Sequence, residues 1–164
     1  MCRVQNYTRK GIALADKVIG IDIGGTNLRG ALVDGSGNTL KRMKIHSGAD
    51  QGIEKLIDNL AGFIKDISQG ESVYDIGIGI PGIIDSKEGI ITEAPNIMNV
   101  SDYPIKADLN EKLGSDINVV IENDANSAAL GEWWMGAAKN VSSMIIITMG
   151  TGIGGGIVID DKLW

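Results

Sequence analysis

Two stretches of this sequence set several glycines between apolar runs that end in aspartate: "DIGGTNLRGALVD", beginning at Asp22, and "TMGTGIGGGIVID", beginning at Thr148. Gly24 and Gly150, Gly30 and Gly156, and Asp34 and Asp160 are each separated by 126 residues. The strand lengths match as well, so the two stretches read as a duplicated element. A glycine-rich hairpin presents backbone N–H groups that no side chain obstructs, and such groups form a concave anion site. Two such hairpins facing each other across a cleft would hold a polyphosphate from both sides. A third stretch, "INVVIENDANSAALGE", places the carboxylate of Asp124 between a strand and a helix. The helix dipole and its orphan N–H groups keep such a carboxylate ionised. Aspartate is also an ordinary helix cap, and on its position alone the cap is the simpler reading.

The elements that must position these residues follow from periodicity and turn chemistry. "KVIGIDIGG" (17–25) is a β-rich run ending in paired glycines, and "LRGALVDGSGNTLKRMKI" (28–45) reads as strand, turn and strand. Residues 51–68 form an amphipathic helix, with Ile53, Leu56, Ile57, Leu60, Ile64 and Ile67 on one stripe. "YDIGIGIPG" (74–82) is a strand whose glycines admit a close approach, and 83–92 is a second hairpin. A loop and a short helix fill 93–114. Residues 117–138 read as strand, tight turn and small-residue helix, and 142–150 as another strand. Hairpins followed by strand–helix–strand units make an α/β mixture. Trp133 and Trp134 are adjacent on the last helix and point about 100° apart, which puts one in the core and turns the other toward a partner chain.

Composition narrows the function. A chain of 164 residues suffices for one domain with a core. The net charge of −6, without a conspicuous basic patch, argues against nucleic acid as a partner. Aromatics at 4% leave little for a base-stacking platform. Apolar runs are short and broken by glycine, so a membrane span is not expected. The one cysteine, Cys2, makes neither an intrachain disulfide nor a zinc cluster, which fits a cytoplasmic protein. His46 and Cys2 read as incidental.

Together the motifs carry a resemblance. "IGIDIGGTNLRGALVD" is similar to the first phosphate motif of sugar kinases in the actin-like ATPase superfamily. More narrowly, "GIGIPGIID", "EAPNI", "IENDANSAALGE" and "TMGTGIGGGIVID" resemble the ROK family (repressors, open reading frames, kinases), in the family's order and over residues 18 to about 164. The resemblance implies an α/β fold: an actin-like ATPase, ribonuclease H-like lobe with a mixed sheet flanked by helices, plus the first hairpin of a second lobe. The expected organisation is an N-terminal arm at 1–17, a sugar- and phosphate-binding lobe at 18–141, and the truncated start of a second actin-like lobe at 142–164. The family's second lobe carries a Glu-x-x-His pair, a zinc-binding cysteine cluster and an adenosine pocket, and none of these is present here. Zinc is therefore expected only in the missing lobe.

The resemblance also implies roles. Asp124 becomes the base that accepts the proton of a sugar hydroxyl. Asn123, whose amide both donates and accepts, becomes a sugar ligand. Gly82 becomes a backbone contact to the sugar, against the alternative of a plain Pro-Gly turn. Asn96 is a further sugar-loop candidate, and Glu122 faces either the cleft or a neighbouring strand. Asp22, Gly24, Gly25 and Thr26 resemble the first phosphate loop, with Asp22 orienting magnesium through water; a strand-end aspartate capping its own turn is the alternative. Thr151 and Gly152 resemble the second phosphate loop, with Thr148 at its base. Asn27 stands where many relatives have lysine.

The expected function is the N-terminal lobe of an ATP- and Mg2+-dependent hexose kinase, glucose to glucose 6-phosphate, inactive as this chain alone. The alternative is a sugar-sensing domain without catalysis, from the repressor branch. Expected partners are a hexose, and either a second copy or a chain that supplies the missing lobe.

Overall fold

The computed structural model describes residues 17–98, 100–114, 116–150 and 152–164. The arm expected at 1–17 lies outside them except for Lys17, which opens the first strand. The chain forms two compact units, which divide between Asn123 and Asp124.

The first unit is built on a five-stranded sheet in the order β3-β2-β1-β4-β8. Strands β1 (Lys17–Ile23), β2 (Asn27–Asp34) and β3 (Thr39–His46) form an antiparallel meander. Strands β4 (Asp75–Ile80) and β8 (Asn118–Asn123) run parallel to β1. The turn between β2 and β3 is organised by Asp34, whose carboxylate accepts from Ser36 N and Asn38 N, both at 2.9 Å, and from Asn38 Nδ2 at 3.0 Å. The Asn38 side chain, with the neighbouring backbone amides, holds the Asp34 carboxyl below the usual carboxylate range. Beyond β4, the short strands β5 (Ile83–Asp85), β6 (Ile90–Glu93) and β7 (Ser101–Tyr103) make a small antiparallel sheet. Strand β7 falls inside the stretch 93–114, expected as a loop and a short helix; three residues are too few to show a period.

Helices α1 (Ile53–Ser68) and α2 (Ile105–Leu113) close one face of the main sheet. The stripe expected on α1 is buried at Leu56, Ile57, Leu60, Ile64 and Ile67, joined by Phe63. Opposite it lie Ile19, Ile21 and Ile23 of β1, Ile76, Ile78 and Ile80 of β4, and Val119 and Ile121 of β8. Alternate residues of each strand share a face, so the positions between these point to the other side. Gly30 of β2 faces the helix, where an added Cβ would press on the Phe63 ring. The ring lies directly on the sheet because that position has no side chain.

Tyr103, at the end of β7, donates its hydroxyl hydrogen bond to the Asp108 carboxylate in α2. Burial, and then this bond, raise the Tyr103 pKa above its ordinary value. The sign of the effect follows. Below about pH 10 both the folded and the unfolded chain keep this phenol neutral, and its contribution is complete. Above that, the unfolded chain ionises first and stability falls. Urea titrations between pH 8 and 11 are expected to show Tyr103→Phe less stable at pH 8 by about 1 kcal/mol, with a shallower alkaline decline than the parent chain. Parallel declines would mean that Tyr103 is not the group responsible.

The second unit holds α3 (Asp124–Trp134) against a three-stranded antiparallel sheet of β9 (Met144–Met149), β10 (Ile153–Ile159) and β11 (Lys162–Leu163). Ala125, Ala129 and Trp133 are the buried residues of α3, and Ala129 and Trp133 pack with Val158 and Leu163. Trp133 also donates its indole N–H to Val141 O at 3.0 Å, whereas Trp134 is exposed. The helix therefore packs with the second sheet, in the compact unit that begins at Asp124. Past Trp134 the regular ladder gives way: the Glu132 carboxylate accepts from Ala137 N at 2.9 Å, and its carbonyl accepts from Ala138 N as well as Gly136 N.

The candidate sugar- and phosphate-binding site

The parallel strands β1, β4 and β8 end on one edge of the main sheet. Their register aligns Asp22 with Gly79 and Gly79 with Glu122, and Ile80 with Asn123. The Asp22–Thr26 segment, the Pro81–Gly82 turn and Asn123 therefore leave the sheet side by side, at the carboxyl ends of parallel strands. That edge is where open α/β sheets bind their ligands.

The first glycine loop is held from within. Gly24 N donates to Asn27 O at 2.9 Å, closing the turn. Ser47, fully buried, donates its N–H to Thr26 O at 2.8 Å and its hydroxyl to Gly25 O at 3.1 Å. The same hydroxyl accepts from Ala49 N at 3.3 Å. Two carbonyls of the loop are thus tied to one serine that sequence reasoning did not single out. Ser47 follows β3, and only the β2–β3 pairing returns it to the loop. Asn96 also arrives here: a Cβ on Gly25 would sit 3.4 Å from the Asn96 Cβ. The sugar-loop candidate and the phosphate-loop candidate are neighbours.

Gly82 adopts φ 127°, and a side chain there would run into Glu93 O and the Ala94 Cα. Its carbonyl accepts from Asn123 Nδ2 at 3.0 Å. One N–H of the Asn123 amide thus fixes Gly82. Glu122 resolves between its two expected orientations. Its carboxylate accepts from Ser86 Oγ at 2.9 Å, in the turn between β5 and β6, and from Asn123 N at 2.8 Å. Gly82, the β5–β6 hairpin and the end of β8 are consequently fastened together by Asn123 and Glu122. Ser86 has no signal in the sequence, because it meets Glu122 only through the fold.

Asp124 is the first residue of α3, peptide-bonded to Asn123 with no turn between strand and helix. The tight turn expected there is absent. The Asp124 side chain is exposed, and its Oδ1 accepts from Ala125 N at 2.8 Å. The carboxylate thus holds the adjacent amide of the first helical turn and still faces outward. Within the second unit, a Cβ on Gly154 would press on Thr148 Oγ1 and the Ala125 Cβ, so the start of α3 packs on the base of the second glycine hairpin. Thr148 stands at that base, and Gly152 is exposed at the tip, where its carbonyl accepts from Gly150 N at 2.9 Å. Thr151 lies outside the described residues.

The repeat has a structural counterpart. Both glycine stretches form antiparallel hairpins, β1–β2 and β9–β10. Gly30 lies beneath Phe63 of α1 and Gly156 beneath Ala129 of α3, so the same position in each copy admits a helix. The turns differ by one residue: Ile23 pairs with Leu28, while Met149 pairs with Ile153.

Asp22 lies on the sheet face opposite α1, in a row with Arg29 and Lys44, while Arg42 pairs with Ala31 in the next row. These residues and Gly20 line an open depression of about 650 Å³. Arg42 and Lys44 lie on β3 and Arg29 on β2, and the strand register gathers them into a local basic margin on an acidic chain. Among the described residues, no cluster of three or more His, Cys, Asp or Glu is placed to hold a metal ion. No helix among them is long and apolar enough to cross a membrane.

Comparison with known proteins places this geometry. The chain is 39% identical to a glucokinase of Thermotoga maritima over 142 residues, 87% of this chain and 44% of the relative. It is 34% identical to a xylose repressor of Caldicellulosiruptor bescii, over 90% of this chain and 37% of that protein. Its fold matches the crystal structure of a ROK family glucokinase from Streptomyces griseus in complex with glucose and AMPPNP, with a TM-score of 0.82 and 37% identity over 90% of this chain and 46% of that one. The fold is thus the actin-like ATPase α/β fold of these kinases, and the chain spans about half the length of the relatives it matches. The ROK family pattern covers residues 18–164, and the chain belongs to the ROK family.

Proposed function

We propose that this chain is the sugar- and phosphate-binding half of an ATP-dependent hexose kinase that converts glucose to glucose 6-phosphate. The observation that carries the reading is the shared edge. The first glycine loop, the Gly82 turn and Asn123 leave parallel strands side by side, and Asp124 follows as the next residue. Asn96, Asn123 and the Gly82 backbone take the sugar, and Gly24, Gly25 and Thr26 take phosphate oxygens. The glycine hairpin of the second unit, with Thr151 and Gly152, is its counterpart. Asp124 accepts the proton of the attacking hydroxyl as that oxygen bonds to the γ-phosphorus and ADP departs. The donor at hand suits magnesium rather than a protein-caged metal, because magnesium keeps its waters and uses one or two carboxylates beside phosphates. Asp22, exposed at the end of β1, is such a carboxylate. Bound there, the ion neutralises phosphate charge. Zinc belongs to residues this chain lacks.

A second reading, a sugar-sensing domain without catalysis, draws on the similarity to the xylose repressor. The exposed Asp124 carboxylate at the start of α3 favours the kinase. The test adds glucose to the isotope-labelled chain and then joins residues 17–164 to the second half of the Thermotoga maritima glucokinase. Glucose is expected to shift the amide signals of Gly82, Asn96 and Asn123 weakly in the chain alone, and only the joined protein is expected to release ADP. Shifts without turnover in the joined protein would favour the sensing domain. Neither shifts nor turnover would overturn both readings.

A further inference from the structure

The first glycine loop has a direction, and the hydrogen bonds of Ser47 set it. Two consecutive carbonyls turn toward this residue: its hydroxyl donates to Gly25 O at 3.1 Å, and its N–H donates to Thr26 O at 2.8 Å. Among the described residues no peptide bond is cis. In a planar trans peptide the C=O and the N–H point in opposite directions. The Thr26 N–H shares a peptide unit with Gly25 O, and the Asn27 N–H shares one with Thr26 O. Both N–H groups are therefore turned away from Ser47, side by side. Successive N–H groups that face one way make a concave anion site. Gly24 N stands apart from the pair, because it donates to Asn27 O at 2.9 Å. Ser47 is fully buried and Thr26 is exposed, so the carbonyls look inward and the N–H groups outward.

This direction needs a lock. Glycine tolerates a wide range of backbone angles, so the Gly25–Thr26 peptide can rotate at little cost. A half turn would exchange its two ends and put a carbonyl where a phosphate oxygen requires a donor. The Ser47 hydroxyl opposes that rotation, and Ser47 is itself held from other sides. Its Oγ accepts from Ala49 N at 3.3 Å, which leaves the single hydroxyl proton for Gly25 O. Its carbonyl accepts from Asn59 Nδ2 of α1 at 3.1 Å. Ala49 is fully buried, and its carbonyl accepts from Met98 N at 3.3 Å, in the loop that carries Asn96. Ser47 is the only buried polar residue among those described, and each of its polar groups is spent on fixing this corner.

We propose that Ser47 is a positioning residue for phosphate binding: its hydroxyl locks the Gly25–Thr26 peptide in the orientation that aims the Thr26 and Asn27 N–H groups at a polyphosphate. Ser47 reaches no ligand itself and acts through these two amides. The inference rests on the phosphate-binding reading of the first glycine loop.

The test titrates the isotope-labelled full chain with magnesium tripolyphosphate and follows the amide signals of the parent, Ser47→Ala, Ser47→Thr and Ile64→Val. In the parent, Thr26 and Asn27 are expected to shift most, and Gly24, already bonded within the loop, to shift little. Ser47→Ala removes the lock and is expected to weaken tripolyphosphate binding about 5- to 10-fold, the worth of one hydrogen bond. Ser47→Thr keeps a hydroxyl and is expected to bind as the parent does. Ile64→Val trims the core on α1 and lowers stability, and is expected to leave binding unchanged. Parent shifts centred on amides other than Thr26 and Asn27 would overturn the proposal without any variant. Binding that Ser47→Ala leaves intact, that Ser47→Thr does not restore, or that Ile64→Val weakens equally would overturn it while leaving the phosphate loop in place. No shift in the loop of the parent chain would overturn the phosphate-binding reading itself, and the proposal with it.

Discussion

Asp124→Asn, placed in a protein that joins residues 17–164 to the second half of the Thermotoga maritima glucokinase, is expected to lower kcat for glucose phosphorylation about 10³-fold, within the range of general base catalysis. The KM for glucose is expected to move far less. The substitution separates two roles that one geometry combines. Asp124 opens α3 and its Oδ1 accepts from Ala125 N, a structural role at the helix start. Asparagine caps helices as well as aspartate does, so the fold and the start of α3 survive the change. What asparagine lacks is a carboxylate to receive the hydroxyl proton. A structural role therefore predicts unchanged turnover, and a base predicts its loss. Asp124→Ala adds the loss of the bond to Ala125 N, about 1 kcal/mol of stability, and is expected to be no slower in turnover than Asp124→Asn. If Asp124→Asn retains full kcat, the assignment of the base is wrong.

Gly82→Ala is expected to destabilise the chain by about 3 kcal/mol or more, because two separate costs coincide. The backbone sits at φ 127°, a region that side chains rarely enter. The added methyl would also collide with Glu93 O and the Ala94 Cα, which are backbone atoms unable to swing aside. Relief of the collision has to move Gly82 away from Glu93, and this pulls on the Asn123 Nδ2 bond to Gly82 O. Gly52→Ala isolates the first cost. Gly52 has φ 105° and an open space where the Cβ would go, so about 1–2 kcal/mol is expected there from conformation alone. Urea denaturation of the two variants gives the comparison. Equal losses would show that the turn yields around residue 82 and that the collision carries no weight. In the joined protein Gly82→Ala is also expected to raise the KM for glucose, because Gly82 and Asn123 move together.

Much of this organisation is legible in the residue order. The α1 stripe from Leu56 to Ile67 is buried as its spacing predicts, because a 3.6-residue period leaves a helix one apolar face to cover. The alternation of "DIGIGI" buries Ile76, Ile78 and Ile80 and turns Gly77 and Gly79 to the other side, as a period of two requires. The repeat between Asp22 and Thr148 is legible for the same reason, since both copies form antiparallel hairpins. Short elements are not. Strand β7 and strand β11 have three and two residues, too few for any period to show, and they form because a neighbouring strand is already in place to pair with them.

The sequence by itself determined the local elements, the glycine hairpins, the position of Asp124 between strand and helix, and the family. Each depends on residues close along the chain, or on motifs that keep their order. Only the tertiary structure decided which distant residues act together. Ser47 holds the first glycine loop, Glu122 fastens Ser86, and Asn123 fixes Gly82. Arg29 and Lys44 become neighbours through the pairing of β2 with β3, and α3 packs on the second sheet through Ala129 and Trp133. The physical reason is that a hydrogen bond or a packed contact depends on separation in space. Strand register and crossover connections set that separation, and they bring together residues that no spacing along the chain relates.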